Sequence, residues 1–304
     1  MVTSLAERLE AHRSRLSPAA LRVVEFLVQH PAVAATAAAA EIAQQVGTSD
    51  ATVVRSVQIL GYTGLPELRR SLGEEWAIKQ NPRETLRRRV ALVKGDPGSV
   101  LDAVLADGID MLAEMRAIAD HAVFLDAVAS LAQARRVIVL GFGPPGALAE
   151  YMALNLSRIG KPARAETQSG FRLADGLAGL TGHDALLVLA PLRHLREIDV
   201  ALDRARAVGA RTVLVSELLA EKLRGHVDQA IVTANSRGRV ANESLALMVI
   251  LDAMLLGVSA SQPDESLSSW ERINELRAAL TGQDIDLPPV WRGETPTDAS
   301  PRDK

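Results

Sequence analysis

Residues 39–61 read AAEIAQQVGTSDATVVRSVQILG, a pattern typical of two short helices joined by a tight turn. Gly47 stands where the first helix should end, because glycine readily adopts the left-handed conformation of a helix C-terminus. Ser49 is suited to begin the second helix, since its hydroxyl can accept a backbone N–H that has no partner within the helix. The stretch therefore predicts a helix-turn-helix.

The second helix of this pair has two different faces. Val53, Val57 and Leu60 recur at helical spacing, so they should point into a core. The opposite face carries Ala51, Arg55 and Gln58, with Thr52 at its border. A small residue, an amide and an arginine on an exposed helix suit the major groove of DNA, where side chains can reach base edges.

Particular residues of the pair and of the next helix are candidates for DNA contacts. Ser49 and Thr52 can bond phosphate oxygens, and Asp50 can either accept from cytosine or stabilise the helix N-terminus. Arg55 is the best candidate for a bidentate guanine contact. The predicted set is Ser49, Asp50, Thr52, Arg55, Gln58 and Arg69. Helix pairs with an apolar inner face also occur in bundles that never bind DNA, and this alternative stays open.

Further helices are predicted around the pair. Ser17 followed by Pro18 is typical of a helix start. The helix before Gly47 is predicted to begin at Thr36, and another helix should run from Leu65 to about Lys79. Arg87-Arg88-Arg89 then forms a basic run, which is either the solvated face of a linker helix or an additional phosphate contact.

The second part of the chain alternates apolar runs with helical segments. Strands are predicted at residues 137–140, 162–166, 185–190, 211–215 and 230–232, and helices at 100–118, up to 133, 148–159, 197–207 and 243–256. This alternation favours a parallel sheet covered by helices. Residues 282–304 are rich in Pro, Asp and Thr, so we expect disorder there.

A glycine-rich segment follows the first predicted strand. Gly141, Gly143 and Gly146 fit the G-x-G-x-x-G pattern of dinucleotide-binding loops, and Glu166 lies 20 residues beyond Gly146 at the end of the next strand. Pro144-Pro145 fits this role poorly, because proline lacks the N–H that would hold a pyrophosphate. A loop for some other anion or small molecule is favoured.

A second candidate loop follows the strand at 185–190. Arg193, His194 and Arg196 lie at the carboxyl end of this strand, where open α/β sheets bind ligands. Their donors suit a carboxylate or a phosphate. The alternative is a solvated loop whose charges pair with Glu197 or Asp199.

Composition narrows the classes of protein. The 304 residues suffice for two domains, and they include no cysteine, which excludes disulfides and thiolate metal sites and fits a cytoplasmic protein. No signal peptide is apparent, and no uninterrupted apolar run approaches the roughly 20 residues of a membrane span. Residues 1–90 carry 12 Lys and Arg against 9 Asp and Glu, whereas the remainder carries 22 against 28. A mildly basic head on an acidic body suits a DNA-binding part joined to another domain.

Catalytic motifs are weak. The six histidines lack the spacing of zinc ligands, and neither a nucleophile elbow nor a Walker loop is present. Glu243 can be a pocket acid, although an acid at a helix start is the simpler interpretation. We therefore predict no enzyme, no cofactor and no metal.

Three motifs of the head occur in a characteristic order. A helix opens at Leu16-Ser17-Pro18, the turn ends in Thr52-Val53-Val54-Arg55, and residues 60–69 read LGYTGLPELR. Together they resemble the RpiR/MurR family of bacterial transcriptional regulators. The resemblance extends over residues 3–260 and implies that the second part is a sugar isomerase (SIS) domain, a parallel-sheet α/β sandwich that senses phosphosugars.

The chain departs from the pattern of SIS domains in its loops. Such domains usually carry a serine where Pro145 stands here, and a Ser-x-Ser-Gly-x-Thr loop after a later strand. The corresponding residues of that loop are Ala190, Leu192, Arg193 and Leu195. The resemblance thus implies an effector pocket, while its usual phosphate ligands are missing. The effector is then another anion held by Arg193 or Arg196, or the domain serves only for dimerisation.

The expected fold is an all-helical helix-turn-helix domain followed by a SIS-like α/β sandwich. The predicted bounds are 1–80 for the DNA-binding domain, 81–119 for a linker and connecting helix, 120–262 for the SIS-like domain and 263–304 for a C-terminal helix and tail.

The expected function is that of a transcription factor. A homodimer or homotetramer assembled through the SIS-like domain would bind an operator in double-stranded DNA, and a small effector, a sugar phosphate or another anion, would change its affinity. The alternatives are a sugar-phosphate isomerase-like or NAD-binding enzyme with a helical appendage, and a scaffold that binds no ligand.

Overall fold

A computed structural model describes residues 5–30, 33–34, 37–79, 82–93, 97–234, 236 and 239–281. The chain divides into two compact units. The first unit comprises residues 1–120, 190–196 and 214–247, and the second comprises residues 121–189, 197–213 and 248–304. The bounds predicted from the sequence for the domains stay a prediction.

The helices up to residue 120 all belong to the first unit. They are α1 (Leu5–His12), α2 (Pro18–Gln29), α3 (Ala39–Val46), α4 (Asp50–Ile59), α5 (Leu65–Lys79), α6 (Pro82–Leu92) and α7 (Val100–Ile118). The buried side chains of α1 to α5 form one core that includes Leu5, Val24, Leu27, Ile42, Val53, Val57, Leu60, Leu68 and Leu72. Helical spacing of these apolar residues therefore produces the predicted all-helical head.

Capping interactions define the starts of α2 and α3, and that of α2 was predicted. The Ser17 hydroxyl accepts from the backbone N–H of Ala20 at 3.3 Å, and Pro18 occupies the first position of α2. Helix α3 begins at Ala39, three residues later than predicted, and the Glu41 carboxylate accepts from the backbone N–H of Ala38 at 2.8 Å. That carboxylate satisfies an N–H that would otherwise lack a partner at the helix start.

Five strands form the sheet of the α/β part. They are β1 (Arg136–Gly141), β2 (Ala163–Glu166), β3 (Asp184–Leu189), β4 (Arg211–Ser216) and β5 (Gln229–Val232). The sheet is parallel and has the order β2-β1-β3-β4-β5. Every residue of β3 is buried, which explains the continuous apolar run at residues 185–189 after Asp184. The predicted α/β class is confirmed.

The remaining helices alternate with these strands and follow them. They are α8 (His121–Gln133), α9 (Pro144–Arg158), α10 (Phe171–Ala178), α11 (Arg196–Val208), α12 (Ala220–Leu223), α13 (Glu243–Ser261) and α14 (Pro263–Thr281). Helix α9 begins four residues earlier than predicted, since two prolines are preorganised for the first helical positions. Helices α10 and α12 were not predicted. The predicted disorder of residues 282–304 lies outside the described residues.

Helix α13 is strongly apolar and ends five residues beyond the predicted end at residue 256. By length and composition alone it could cross a membrane, a criterion that core helices of soluble proteins also meet. Asp252 lies in its middle and accepts from the Tyr151 hydroxyl of α9 at 2.7 Å. An acid in such a position is costly in a lipid core and has a polar partner within the second unit.

Candidate DNA-binding and effector sites

The N-terminus of α4 is built as the sequence predicts. The Ser49 hydroxyl accepts from the Thr52 backbone N–H at 3.3 Å and lies 3.0 Å from the Thr52 hydroxyl. Gly47 ends α3 with φ +70°, a left-handed conformation that disfavours other residues. The Ser49 cap and the left-handed conformation of Gly47 therefore fix the turn between α3 and α4.

The two faces of α4 separate as predicted. Val53, Val57 and Leu60 are fully buried, whereas Ala51, Arg55 and Gln58 are exposed. Ser56 is also buried, and its hydroxyl donates to the Thr52 carbonyl at 2.7 Å, so it has a partner on its own helix. A helix anchored on one face presents Arg55 on the other.

The loop after α4 is held by a clamp that the sequence analysis missed. Gly61 has φ +86°, and Tyr62 is buried. The Arg8 guanidinium lies 4.5 Å from the Tyr62 ring centroid, and its Nη1 donates to the Leu60 carbonyl at 2.9 Å. The contact spans 52 residues, so no local signal could have indicated it. It ties α1 to the C-terminal end of α4.

Glu67 fixes the other side of this loop. Its carboxylate accepts from the Thr63 backbone N–H at 2.6 Å. This hydrogen bond, with a smaller contribution from Arg70, lowers the pKa of Glu67. Gly61, Tyr62 and Glu67 of the LGYTGLPEL segment, which carried the family resemblance, thus all stabilise the same turn.

Arg69 and Arg70 have different surroundings. Arg69 donates to the Ala37 carbonyl at 2.6 Å and is partly buried, so it links α5 to the segment before α3. Arg70 is the more exposed arginine, with 70% of its side chain accessible and Glu67 at 3.5 Å. The DNA contact predicted for Arg69 stays a prediction. In such a contact the guanidinium would keep its hydrogen bond to the Ala37 carbonyl.

The basic run of α6 divides between solvent and an ion pair. Arg87 and Arg88 are exposed. Arg89 donates to the Glu243 carboxylate at 3.1 Å, and both side chains are largely shielded from solvent. Glu243 is therefore an acid at the start of α13, as the simpler interpretation held, and it attaches α6 to that start.

The three glycines of the predicted effector loop lie at the junction of β1 and α9. A Cβ at Gly141 would overlap the Pro145 carbonyl, and one at Gly146 would lie 3.1 Å from the Gly141 carbonyl oxygen. Gly143 precedes α9 with φ +66°. Glycine is thus required for close backbone approach, whatever the ligand.

Few N–H groups remain at the start of α9 for an anion. Pro144 and Pro145 have none, and the Gly146 N–H donates to the Gly143 carbonyl at 2.8 Å. A helix N-terminus normally offers several such donors. The dinucleotide alternative is further weakened at Glu166, which pairs with Arg164 at 3.3 Å and packs where Gly176 lacks a side chain.

The loop at residues 190–196 is pinned at its start and polar at its end. The Ser216 hydroxyl donates to the Ala190 carbonyl at 2.6 Å, and the backbone N–H groups of Glu217 and Leu218 donate to the Pro191 carbonyl. These hydrogen bonds hold the first two residues of the loop in place.

Basic side chains gather beyond the pinned part of this loop. Lys222 Nζ lies 2.7 Å from His194 Nδ1, so the ammonium donates to the imidazole. Arg193 and Arg196 are exposed, and Arg196 begins α11. The structure thus brings His194 together with Lys222, a residue that the sequence analysis did not select.

A second polar cluster of the first unit was also missed. Arg239 donates to Asp107 at 3.3 Å and to Glu114 at 2.5 Å, both on α7. Asp107 accepts in addition from the Ala241 backbone N–H at 2.7 Å. The partners are more than 120 residues apart in sequence, so only the fold reveals this attachment of α7.

Metal ligands do not cluster in the part of the chain that the structure describes. Within those residues, no three His, Asp or Glu side chains lie close enough together to hold a metal ion.

Comparison with known proteins identifies the head. Residues 3–79 match the helix-turn-helix domain of the rpiR family. An uncharacterised HTH-type transcriptional regulator of Haemophilus influenzae is 23% identical over 85% of this chain and 90% of its own length. The regulator YbbH of Bacillus subtilis, likewise uncharacterised, is 23% identical over 94% of this chain and 100% of its own length.

Two solved structures share the fold of large parts of this chain. The Vibrio vulnificus NanR protein, complexed with ManNAc-6P, has a TM-score of 0.56 and 20% identity over 91% of this chain and 99% of its own. The sugar isomerase domain of an RpiR transcription factor from Sphaerobacter thermophilus has a TM-score of 0.54 and 21% identity over 58% of this chain and 99% of its own. With an rpiR-family helix-turn-helix domain and a SIS-like α/β domain, this chain is a DNA-binding transcriptional regulator.

Proposed function

We propose that the chain binds an operator through α4 and that a small anionic metabolite, bound in the SIS-like domain, changes its operator affinity. The observation that carries the DNA part is the separation of faces on α4, with Arg55 exposed on a helix whose other face is fully buried. An arginine in the major groove can donate two hydrogen bonds to one guanine. Ser49, Asp50, Thr52 and Gln58 complete the proposed contact surface.

The proposed effector is a sugar phosphate or another small anion. Two facts support this class: the structural relative from Vibrio vulnificus binds ManNAc-6P, and the loop at 190–196 carries basic side chains. The hydroxyls that usually hold the phosphate in SIS domains are replaced by Ala190, Leu192 and Leu195. The anion is bound in this proposal by the guanidinium groups of Arg193 and Arg196, with His194 in the same loop. A role of Gly141, Gly143 and Gly146 in effector binding stays a prediction.

Operator binding by Arg55 is tested by fluorescence anisotropy with fragments of the chromosome around the gene. Arg55→Ala should weaken specific binding by about 1–3 kcal/mol and relax one base position. Arg172→Ala is the matched control, because Arg172 is an exposed arginine of α10. Affinity of the Arg55→Ala protein that is unaltered from wild type for the operator and for its sequence variants would contradict the proposal.

Effector binding is tested by a thermal-shift screen of sugar phosphates and carboxylates. A ligand at 100 times its dissociation constant should stabilise the protein by about 2.7 kcal/mol. Arg193→Ala and Arg196→Ala should reduce the shift, whereas Arg206→Ala, an exposed arginine paired with Asp203, should not. A shift that persists in both loop variants would place the anion elsewhere, and a screen without any shift would favour a ligand-free scaffold.

The proposed regulator is a cytoplasmic homo-oligomer without catalytic activity. Both curated relatives described above are named as transcriptional regulators. Two heads in one oligomer would meet two half-sites of an operator. A coupled isomerase assay tests the alternative. Turnover of a sugar phosphate that the protein binds would favour an enzyme.

A further inference from the structure

Helix α7 carries large apolar side chains that the described part of the chain leaves exposed. One side of the helix is packed: Met111 and Met115 are buried, and a Cβ at Gly108 would lie 3.0 Å from Leu245 Cδ2. Asp107 and Glu114 pair with Arg239 at the edge of this side. These contacts fix the rotation of α7 about its axis.

The adjoining side of α7 is an exposed apolar stripe. Its members follow one another at spacings of three and four residues and are Leu101, Leu105, Ile109 and Leu112, exposed by 67%, 55%, 67% and 37%. At 1.5 Å per residue the stripe is about 16 Å long. Large exposed apolar patches of this kind mark interaction sites.

Charge at the two ends of the stripe selects its occupant. Asp102 lies seven residues before Ile109 and Arg116 lies seven residues after it, and both side chains are exposed. An antiparallel copy of α7 centred at Ile109 therefore places Asp102 of each copy beside Arg116 of the other. Each such pair occurs twice, as in an isologous contact.

The apolar positions match in the same register. Leu105 and Leu112 lie at nearly equal distances from Ile109, so Leu105 of one copy meets Leu112 of the other. Ile109 meets its own copy at the two-fold axis. Helices packed 8–10 Å apart bring such facing side chains into contact. In this register, residues 105–112 of the stripe thus meet apolar residues of the second copy, and the charged pairs flank them on both sides.

We propose that the Leu101–Leu112 stripe of α7 binds the same stripe of a second copy of this chain in antiparallel orientation. The proposal rests on the homo-oligomer of the proposed function and names a contact surface for it on the connecting helix α7. The pair joins two DNA-binding heads through the helix that follows α6.

Cysteine crosslinking tests the contact, because the natural chain contains no cysteine. In Ile109→Cys the two thiols face each other at the axis and should form an intermolecular disulfide on mild oxidation, seen as a dimer band on a non-reducing gel. Asp110→Cys is the matched control, since Asp110 is exposed, follows Ile109 directly along the helix and lies about 100° round the helix from it. Equal crosslinking of both variants, or none in Ile109→Cys, would overturn the proposal.

Charge reversal tests the register. Arg116→Glu should raise the dimer dissociation constant about tenfold, measured by sedimentation equilibrium, and Asp102→Lys in the same chain should restore it. Leu105→Asp should give a monomer with unchanged far-ultraviolet circular dichroism, which separates loss of the contact from misfolding. A Leu105→Asp dimer as stable as the unmodified one, or an unmodified chain that is monomeric at micromolar concentration, would refute the contact.

Failure of this proposal and failure of the proposed function give different results. A Leu105→Asp protein that stays dimeric and still binds its operator retains the regulator and loses only the α7 contact. A dimer that depends on Leu105 but binds no DNA specifically retains the contact and loses the regulator.

Discussion

Replacing Asp184 tests the most deeply buried charge described in the second unit. This carboxylate has no exposed side-chain surface and accepts from Arg136 at 2.9 Å and Arg135 at 3.1 Å. It also accepts from the backbone N–H and the hydroxyl of Thr181 at 3.0 and 3.1 Å. The four bonds join the starts of β1 and β3 to the turn before β3.

The magnitude follows from what Asp184→Ala leaves behind. Hydrogen bonds to a charged group contribute about 1.5–3 kcal/mol each, but burial of the carboxylate offsets part of that sum. Arg135 regains water easily, since 60% of its side chain is exposed, but only 27% of the Arg136 side chain is exposed. The Thr181 N–H is left without this acceptor. We expect a loss of about 3 kcal/mol in the free energy of unfolding.

Urea unfolding followed by circular dichroism measures this loss. Asp203→Ala is the matched control, because Asp203 is 71% exposed and pairs with Arg206 on one helix. An exposed pair of this kind contributes at most about 1 kcal/mol. Equal stability of the Asp184→Ala and Asp203→Ala proteins would refute the role assigned to the buried carboxylate.

The pH dependence of this difference has a definite sign. Burial alone would raise the pKa of Asp184, but the hydrogen bonds from Thr181 and Arg136 outweigh it and lower the pKa below its ordinary value of 3.8. The unfolded chain therefore takes up the proton first as the pH falls. The stabilisation is present above the unfolded pKa and should disappear as the pH falls through the folded pKa.

Three further substitutions test other contacts by the same measurement. Gly61→Ala should cost about 1–2 kcal/mol, because φ is +86° and the new Cβ would lie 3.1 Å from Arg8 Nη1; stability equal to wild type would contradict the clamp. Gly176→Ala should cost more than about 1 kcal/mol by displacing the Glu166 carboxylate, whereas Gly179→Ala, in open space, should be nearly neutral. Lys161→Met should cost about 1–2 kcal/mol, since Lys161 Nζ donates to the Ala132 and Ala134 carbonyls at 2.6 and 3.0 Å; an unchanged urea midpoint would exclude this role.

Local signals made much of the fold predictable. Ser17, Gly47 and Ser49 each act on their immediate neighbours, so the sequence alone indicates the caps that they form. The apolar run at residues 185–189 is continuous because each of these positions of β3 is buried. Helix α10 was missed because it is short and follows two polar residues and a glycine, which are typical of a loop.

Long-range partners explain what the sequence could not reveal. Arg69 was selected for DNA because it is basic and near α4, yet its donor reaches the Ala37 carbonyl, 32 residues earlier. Arg239 could not be selected from the sequence, because its partners Asp107 and Glu114 lie on α7, more than 120 residues earlier. The same difficulty applies to the effector loop, where His194 meets Lys222. A side chain's charge is legible in the sequence, but the partner that engages it depends on tertiary packing.

The Arg89–Glu243 ion pair affects how salt titrations of DNA binding must be interpreted. Binding of a protein releases counterions from the duplex, and added salt opposes this release. The logarithm of the affinity therefore falls linearly with the logarithm of the salt concentration. Added salt also screens the pair that fastens α6 to the start of α13, although partial burial makes this screening weaker. Weakening of this ion pair would add curvature to the plot of affinity against salt at high ionic strength. The Arg89→Ala protein, already unfastened, should give the straighter plot.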